Sequence, residues 1–233
     1  MPSGCQVRVK SFCFNPFQEN CYLLWNETGE CVIVDPGCYG DHELRAVRDS
    51  ISSKELTPGA IWLTHGHFDH IFGVAALSRE YGIPVYMSSE DRFILDLDGG
   101  FAAGVGLAAP DVNFETRDLE DGQSLGFAGF NVIATPGHTP GGVCFYCEEG
   151  KLLFTGDTLF AGAIGRTDLV GGDYDREIIG IMEKLMVLPG DVDVLPGHGP
   201  ASSIAEERTG NPFLQPFNEV DADGNVDGIS IDG

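Results

Sequence analysis

The stretch Thr64-His65-Gly66-His67-Phe68-Asp69-His70 directly follows Ala60–Leu63, an apolar run typical of a buried β-strand. The first two histidines are two positions apart, so both imidazoles point the same way if the chain stays extended. The glycine between them gives the backbone freedom to bend. The aspartate and the third histidine follow where the chain turns into a predicted helix. Imidazole and carboxylate groups are ligands of zinc-like metals, so the stretch predicts a metal site at a strand end.

Three more polar side chains repeat this arrangement further along the chain. His138, Asp157 and His198 each follow a predicted strand and each comes directly after a glycine. Loops beyond strand ends are where α/β folds gather ligand groups. Five of the six histidines therefore belong to one pattern, and only His42 falls outside it.

The number of candidate ligands indicates more than one ion. Five imidazoles and two carboxylates exceed the four ligands of a tetrahedral zinc. They suit two divalent ions about 3.5–4 Å apart. Asp157 has two carboxylate oxygens and can bridge such a pair. Zinc is the predicted metal, with iron or manganese as alternatives.

The order of the predicted elements indicates an α/β (α+β) fold. Strands occur in two groups, each followed by helices, which is typical of two sheets packed face to face with helices outside. We expect one domain over residues 1–217 and an acidic, Asp- and Gly-rich tail over residues 218–233. The Gly- and Ala-rich segment 98–110 is predicted to be a long loop, either a plain surface excursion or a lid over the site.

Composition excludes several classes of protein. The net charge of -23, from 13 basic and 36 acidic residues, argues against nucleic-acid binding. No apolar run reaches the length of a membrane helix, and residues 1–8 do not resemble a signal peptide, so we expect a cytoplasmic protein without a membrane partner. Cys144 and Cys147 form a C-x-x-C pair. They lie three apart on a predicted strand and face opposite sides, which argues against a shared metal or disulfide.

On these motifs the chain resembles the metallo-β-lactamase superfamily along residues 7 to 214. The stretch from His65 to His70 is that superfamily's main signature. The resemblance implies a four-layer αβ/βα sandwich with the site between its edges. It also implies a metal 1 held by His65, His67 and His138, a metal 2 held by Asp69, His70 and His198, and a bridge formed by Asp157.

Within that superfamily the chain is similar to glyoxalase II-like hydroxyacylglutathione hydrolases. The motifs that carry this likeness are Asn20–Leu23, Val34–Gly37, Thr135–Thr139, Phe154–Phe160, Pro196–Pro200 and Asn211–Leu214. The last two point to a short branch that lacks the C-terminal helical domain. Longer enzymes hold glutathione with a Lys and a Tyr after the Gly-Asp-Thr motif, whereas this chain has Ala163–Asp168 there.

The resemblance and the ligand set together predict a hydrolase that acts on a small-molecule thioester. Two metals lower the pKa of a shared water to about 7, and the resulting bridging hydroxide attacks the thioester carbonyl. The thiol that leaves has a pKa of about 8.5, so it departs without protonation. An amide nitrogen would need a proton, which argues against β-lactam cleavage. Asp69 and Asp157 are the candidate catalytic carboxylates, and Asp69 is either a ligand or a base.

Two other residues have two interpretations each. Arg166 either binds a substrate carboxylate or pairs with nearby Asp168 or Asp173. Asp35 follows a buried strand and either orients a ligand histidine or serves only as a turn residue before Pro-Gly.

The alternative function is an oxidoreductase. Persulfide dioxygenases of the same superfamily resemble this chain at Gly165–Asp168 and at Glu207–Thr209 followed by Asn211-Pro212. In that case His65, His138 and Asp157 would hold one iron, which is the two-histidine, one-carboxylate pattern of iron oxygenases. A module that binds metal without catalysis is a third interpretation.

Overall fold

The computed structural model describes residues 7–215, with side chains described throughout except at residues 98 and 99. The predicted tail of residues 218–233 lies outside this range. The strands are β1 Arg8–Phe14, β2 Glu19–Trp25, β3 Glu30–Val34, β4 Thr57–Trp62, β5 Val85–Tyr86, β6 Thr116–Arg117, β7 Phe130–Ala134, β8 Val143–Cys147, β9 Leu152–Gly156, β10 Leu159–Phe160, β11 Ala163–Ile164, β12 Asp193–Pro196 and β13 Ser202–Ser203. The helices are α1 Gly40–Ser53, α2 Phe68–Ile71, α3 Val74–Tyr81, α4 Arg92–Gly104, α5 Tyr174–Gly180 and α6 Ile204–Gly210. A 3₁₀ turn precedes α4, and a π-helical turn, Ile181–Leu185, follows α5.

The strands form two main sheets of different construction. The first has the order β1-β2-β3-β4-β5-β6, with antiparallel pairs up to β3 and parallel pairs from there. The second has the order β13-β12-β9-β8-β7, in which β12 and β9 are parallel and the remaining pairs are antiparallel. Strands β10 and β11 form a separate hairpin. The parallel pairs matter for the site, because their carboxyl ends lie at one edge.

The inner faces of the two sheets pack against each other. Trp62 of the first sheet is fully buried, and its ring centroid lies 5.5 Å from that of Phe130 and 5.2 Å from that of Phe145 in the second sheet. Tyr22 meets Phe154 across the same gap at 4.9 Å. These rings bury large apolar areas and favour edge-to-face contacts. A single apolar layer therefore joins the two sheets.

Helices cover both outer faces. The outer face of the first sheet packs Ile33 and Ile61 against Val47 of α1 and Leu77 of α3. The outer face of the second sheet packs side chains such as Leu153 against Ile178 of α5 and Ile204 of α6. The fold is thus the predicted four-layer αβ/βα sandwich, an α/β architecture.

The two cysteines of strand β8 lie on opposite sides of the second sheet. Cys144 packs in the outer apolar cluster and Cys147 in the inner one. Alternation along the strand explains this separation. Both thiols are buried, and their positions fit the prediction that they share neither a metal nor a disulfide.

The prediction of a long loop over residues 98–110 was wrong for its first half. Helix α4 begins at Arg92 and continues to Gly104. The sequence favoured a loop because glycine lowers helix propensity by about 1 kcal/mol per residue. The helix forms because Ala102 and Ile94 are buried against the molecule. Although α4 is apolar, no helix within residues 7–215 is both long and apolar enough to cross a membrane.

Candidate metal centre

The candidate ligands lie at the carboxyl ends of strands from both sheets. His65 follows β4, His138 follows β7, Asp157 follows β9 and His198 follows β12. Strand β7 runs in the same direction as β9, because each is antiparallel to β8, and β12 is parallel to β9. The loops that follow these three strands of the second sheet therefore lie at the same edge of that sheet. A short bridge between Glu19 and His198 joins that edge to the first sheet.

The loop after β4 supplies the remaining groups. His67 has an extended backbone and directly precedes α2, whose first turn carries Asp69 and His70. Because α2 is only four residues long, both side chains stay beside the end of β4. The structure thus brings all seven predicted side chains together from four separate loops.

Distances between their polar atoms define two adjoining groups. His67 Nδ1 lies 2.9 Å from His138 Nε2, and His65 completes the first group. In the second group, His198 Nε2 lies 3.3 Å from both His70 Nε2 and Asp69 Oδ2. Each group has donor atoms within 4.8 Å of one another.

Asp157 lies between the two groups. Its Oδ1 is 3.4 Å from His70 Nε2, and its Oδ2 is 3.5 Å from His198 Nε2 and 3.7 Å from His138 Nε2. It also forms a third potential ligand group with His65 and His70. A carboxylate in this position reaches both clusters of imidazoles, as a bridging ligand must.

Hydrogen bonds outside the cluster orient four of the imidazoles. His138 Nδ1 lies 2.7 Å from the Arg166 carbonyl oxygen, and His198 Nδ1 lies 3.0 Å from the Phe17 carbonyl oxygen. A carbonyl only accepts, so both Nδ1 atoms carry the proton and donate it. This tautomer directs the Nε2 lone pair of each ring into the cluster. Metal-binding histidines are held in the same way, by a donor bond from the other ring nitrogen.

Asp35 performs the equivalent role for the other two rings. Its Oδ2 accepts from the Thr64 hydroxyl at 2.6 Å and lies 3.2 Å from His70 Nδ1. The same hydroxyl lies 3.0 Å from His65 Nδ1. Of its two interpretations, the contact with a candidate ligand histidine is the one that the structure shows. Asp35 also accepts the Thr64 amide at 2.7 Å, so it fixes the turn as well.

The cluster has the polar atoms that a cation site requires. Among the described residues, His65 Nε2 and Asp157 Oδ1 are buried without a hydrogen-bond partner. A buried polar atom left without a partner costs about 1–3 kcal/mol. Several imidazole nitrogens and carboxylate oxygens of the cluster also lie 3–4 Å apart. A bound cation satisfies all of them at once, and the donor set of imidazole and carboxylate suits a divalent transition metal.

The pKa shifts of the candidate ligand histidines also favour a bound cation. Burial lowers the pKa of His67 to about 3 and that of His65 well below its ordinary value, so both rings are neutral, as ligation requires. Burial acts to lower the pKa of His70 too, but the carboxylates of Asp157 and Asp69 outweigh it and raise that pKa well above the usual range. The two carboxylates therefore attract positive charge into this half of the cluster.

Asp91 ties the two main ligand loops together, and no motif in the sequence identified it. Its fully buried carboxylate accepts the Gly66 amide at 3.0 Å, the Thr139 hydroxyl at 2.8 Å and the Gly141 amide at 2.6 Å. The first donor lies between His65 and His67, and the other two follow His138. Asp91 therefore sets the distance between loops from opposite sheets.

Replacing Asp91 with asparagine should destabilise the protein. The amide keeps one acceptor oxygen and turns an NH₂ group towards a neighbouring donor, which leaves at least one buried donor unpaired. We expect the free energy of unfolding to fall by about 2 kcal/mol, measured by urea denaturation. The matched control is Asp191→Asn, since Asp191 is an exposed carboxylate paired with Lys151. Equal midpoints of urea unfolding for Asp91→Asn and Asp191→Asn would contradict the role of Asp91.

Glu177 of α5 holds the second ligand loop from the outer side, and no sequence motif identified it either. Its Oε2 accepts the His138 amide at 2.7 Å. The residue is buried, and burial raises the pKa of its carboxyl to about 8. Gly137 and Gly165 pack so closely on it that an added Cβ would lie 2.3 Å from Oε2 at the first position and 2.8 Å from Oε1 at the second. The glycines of these loops therefore permit close packing beneath the candidate ligands.

A cavity of about 630 Å³ opens directly over the cluster. His67, Asp69, His138, Asp157 and His198 lie at its floor. Its size is within the usual range for small-molecule sites. A substrate group placed in it would therefore reach the candidate ligands without any rearrangement of the chain.

Arg166 also lines this cavity, but its guanidinium already has a partner. Nε and Nη2 donate to the carboxylate of Asp168 at 2.7 and 2.9 Å. Both side chains are mostly exposed. The predicted pairing with a nearby aspartate is therefore formed, with Asp168 rather than Asp173, and binding of a substrate carboxylate by Arg166 remains a proposal.

Comparison with known proteins gives one family. The family model described as the metallo-beta-lactamase superfamily matches residues 14–198. The hydroxyacylglutathione hydrolase GloC of Haemophilus influenzae is 38% identical over 202 residues, which cover 85% of this chain and 93% of that protein. The family-model match over residues 14–198 includes all seven candidate ligands and ends at the last of them, His198.

Solved structures show the same fold. BLEG-1, described as a B3 metallo-beta-lactamase, has a TM-score of 0.81 at 38% identity and covers 89% of this chain and 99% of its own. TTHA1623 in a di-iron-bound form has a TM-score of 0.79 at 38% identity, with coverage of 88% and 100%. ETHE1 from Myxococcus xanthus has a TM-score of 0.70 at 26% identity, with coverage of 88% and 83%. With its four-layer sandwich and its histidine and aspartate cluster, the chain belongs to the metallo-beta-lactamase superfamily.

Proposed function

We propose that this protein is a metal-dependent hydrolase that cleaves a thioester of the hydroxyacylglutathione type. The observation that carries the proposal is the convergence of five imidazoles and two carboxylates, of which His67, Asp69, His138, Asp157 and His198 lie at the floor of an open cavity. The likeness to GloC supports the thioester. When bound, two divalent ions supply an activated water and Lewis-acid stabilisation of the developing oxyanion. Zinc suits the ligands, and the di-iron form of TTHA1623 makes iron the main alternative.

In this proposal His65, His67 and His138 hold one ion and Asp69, His70 and His198 hold the other. Asp157 reaches both, as its contacts with rings of the two groups support. The backbone carbonyls and Asp35 keep the histidine tautomers that present lone pairs to the cations. These residues need no movement to perform that task, and such preorganisation is the main contribution of a protein to metal catalysis.

The side chains around the cluster favour a thioester over an amide. A thiolate leaves without protonation, since a thiol has a pKa of about 8.5. Among the described residues that line the cavity, the acids and histidines are the candidate ligands themselves, and Arg166 is paired. No separate proton donor for an amine is therefore in place within this set. This is the reason to propose thioester cleavage although BLEG-1 is described as a β-lactamase.

The second candidate is a persulfide dioxygenase with one iron. The likeness to ETHE1 favours it, as does the placement of Asp157 beside His65 and His138. That set is the two-histidine, one-carboxylate pattern of iron oxygenases. It would leave His67, Asp69, His70 and His198 without a metal, although they lie in the same cluster.

Two assays on the purified protein separate these functions. We expect S-lactoylglutathione to be hydrolysed, with release of thiol followed by a colour reagent, in protein that carries two equivalents of divalent metal. We expect no oxygen uptake with glutathione persulfide. Oxygen uptake by protein with one equivalent of iron, without thiol release, would contradict the hydrolase and support the second candidate.

A further inference from the structure

The walls of the cavity are apolar, in contrast with its floor. Helix α4 contributes Ile94, Leu97 and Phe101, and Val105 directly follows its last residue. These residues recur three or four positions apart and so share one face of the helix. Three of these side chains, Leu97, Phe101 and Val105, are about half exposed at 50%, 53% and 53%. Large apolar side chains left exposed together mark a binding surface.

Lining residues from other segments of the chain continue this apolar surface. Phe17 and Phe68 form an edge-to-face pair with ring centroids 5.1 Å apart, and Phe17 is 40% exposed. Leu169 and Val170 line the cavity from the loop after β11, and Val170 is 61% exposed. The apolar side chains therefore surround the cluster on several sides rather than forming a patch elsewhere on the protein.

The apolar wall is fixed relative to the candidate ligands. Asp91, which holds the ligand loops, directly precedes α4. Gly66 lies so near the first turn of α4 that an added Cβ would stand 3.4 Å from the Ile94 Cβ. A group that packs on α4 is consequently held at a set distance from the floor of the cavity.

The charges of the site argue against a polar occupant for these walls. Glutathione carries two carboxylates and one ammonium group. Among the described lining residues, Arg166 is the one cation apart from the histidines, and it is engaged by Asp168. Biological thiol carriers are polar, so the apolar part of a thioester is its acyl group.

From this we infer that the natural substrate carries an apolar acyl chain, which packs on the face of α4 while its thioester carbonyl lies over the metal cluster. The inference rests on the proposed thioester hydrolysis and replaces the short hydroxyacyl group of the hydroxyacylglutathione type with a longer apolar acyl chain as the preferred substrate. Each methylene buried in an apolar pocket stabilises the bound state enough to change kcat/KM by about two- to fourfold. A polar hydroxyacyl group such as lactoyl lacks this contribution.

The test compares acetyl, butanoyl, hexanoyl and octanoyl thioesters of N-acetylcysteamine, a small neutral thiol that removes recognition of the carrier. We expect kcat/KM to rise along the series, with octanoyl exceeding acetyl by at least about 50-fold. Hydrolysis of all four at similar rates would overturn the acyl assignment and leave the thioesterase intact. Hydrolysis of S-lactoylglutathione but of none of these four would also overturn the acyl assignment alone, and hydrolysis of none of the five would overturn the thioesterase and the assignment together.

A variant of the wall makes the test specific. Phe101→Ala should reduce the octanoyl-to-acetyl ratio of kcat/KM by about tenfold. Val187→Ala is the matched control, since Val187 is 70% exposed and does not line the cavity, and it should keep the wild-type ratio. If Phe101→Ala instead changes the oligomeric state by light scattering and leaves the ratio unchanged, the apolar face serves a protein contact and the inference is wrong.

Discussion

Replacing Asp157 with alanine is expected to remove at least one equivalent of bound metal and to lower turnover more than about 100-fold. Loss of a residue that only orients a metal ligand typically costs 10–100-fold, and Asp157 contacts imidazoles of both groups directly. Metal content is measured by plasma mass spectrometry after gel filtration, and turnover by thiol release.

The control for this variant is Asp191→Ala, which removes an exposed carboxylate that pairs with Lys151 and belongs to none of the candidate ligand groups. Thermal denaturation provides a readout that does not depend on turnover, because a ligand that binds only the folded state raises its stability. Added zinc should raise the melting temperature of the metal-free wild type and of Asp191→Ala by more than that of Asp157→Ala. Equal metal content in all three proteins would contradict the role given to Asp157.

Replacing Gly165 with alanine is the second change for which we expect a large effect. An added Cβ at this position would stand 1.9 Å from the backbone oxygen of Asp157 and 3.0 Å from the His138 Cβ. Backbone cannot yield as a flexible side chain does, so the loops that carry both residues must shift. We expect the free energy of unfolding to fall by about 3 kcal/mol, with a loss of bound metal.

Gly210→Ala is the matched control, because it is the same chemical change at a position where the added Cβ meets no atom within 4 Å. Gly210 is the last residue of α6, where alanine is the better helix former. Urea denaturation should therefore show no loss of stability for this variant. A Gly165→Ala protein as stable as the Gly210→Ala protein would show that the loops beneath the cluster are not packed as described.

The candidate ligands could be predicted because each is marked by local sequence. For His138, Asp157 and His198 a strand pattern ends, a glycine follows and the candidate ligand comes next. The other four lie in the short stretch from His65 to His70 that follows a strand, so position in the fold can be read along a few residues. The two cysteines of β8 were predictable for the same reason, since alternation along a strand is local.

Asp91 and Glu177 could not be predicted, since their roles depend on distant partners. Asp91 accepts amides 25 and 50 residues away, and Glu177 accepts one 39 residues away. Such pairs exist only once the two sheets have packed. Nothing in the local sequence distinguishes these carboxylates from the many exposed acids of the chain.

Helix α4 shows tertiary structure overriding local propensity. Its glycines predicted a loop, but Ile94 and Ala102 are buried, and Leu97 and Phe101 continue the helical spacing towards the cavity. Packing of an apolar face supplies more stability than propensity removes. Helix α4 forms a wall of the cavity. A prediction based on composition did not anticipate this.

The most direct test of the central claim is a crystal structure of the metal-loaded protein, with metals located by anomalous scattering above and below the zinc absorption edge. We expect two metal peaks per chain, one among His65, His67 and His138 and one among Asp69, His70 and His198, with Asp157 in contact with both. A single peak held by His65, His138 and Asp157, or no peak in this cluster, would contradict a two-metal hydrolase.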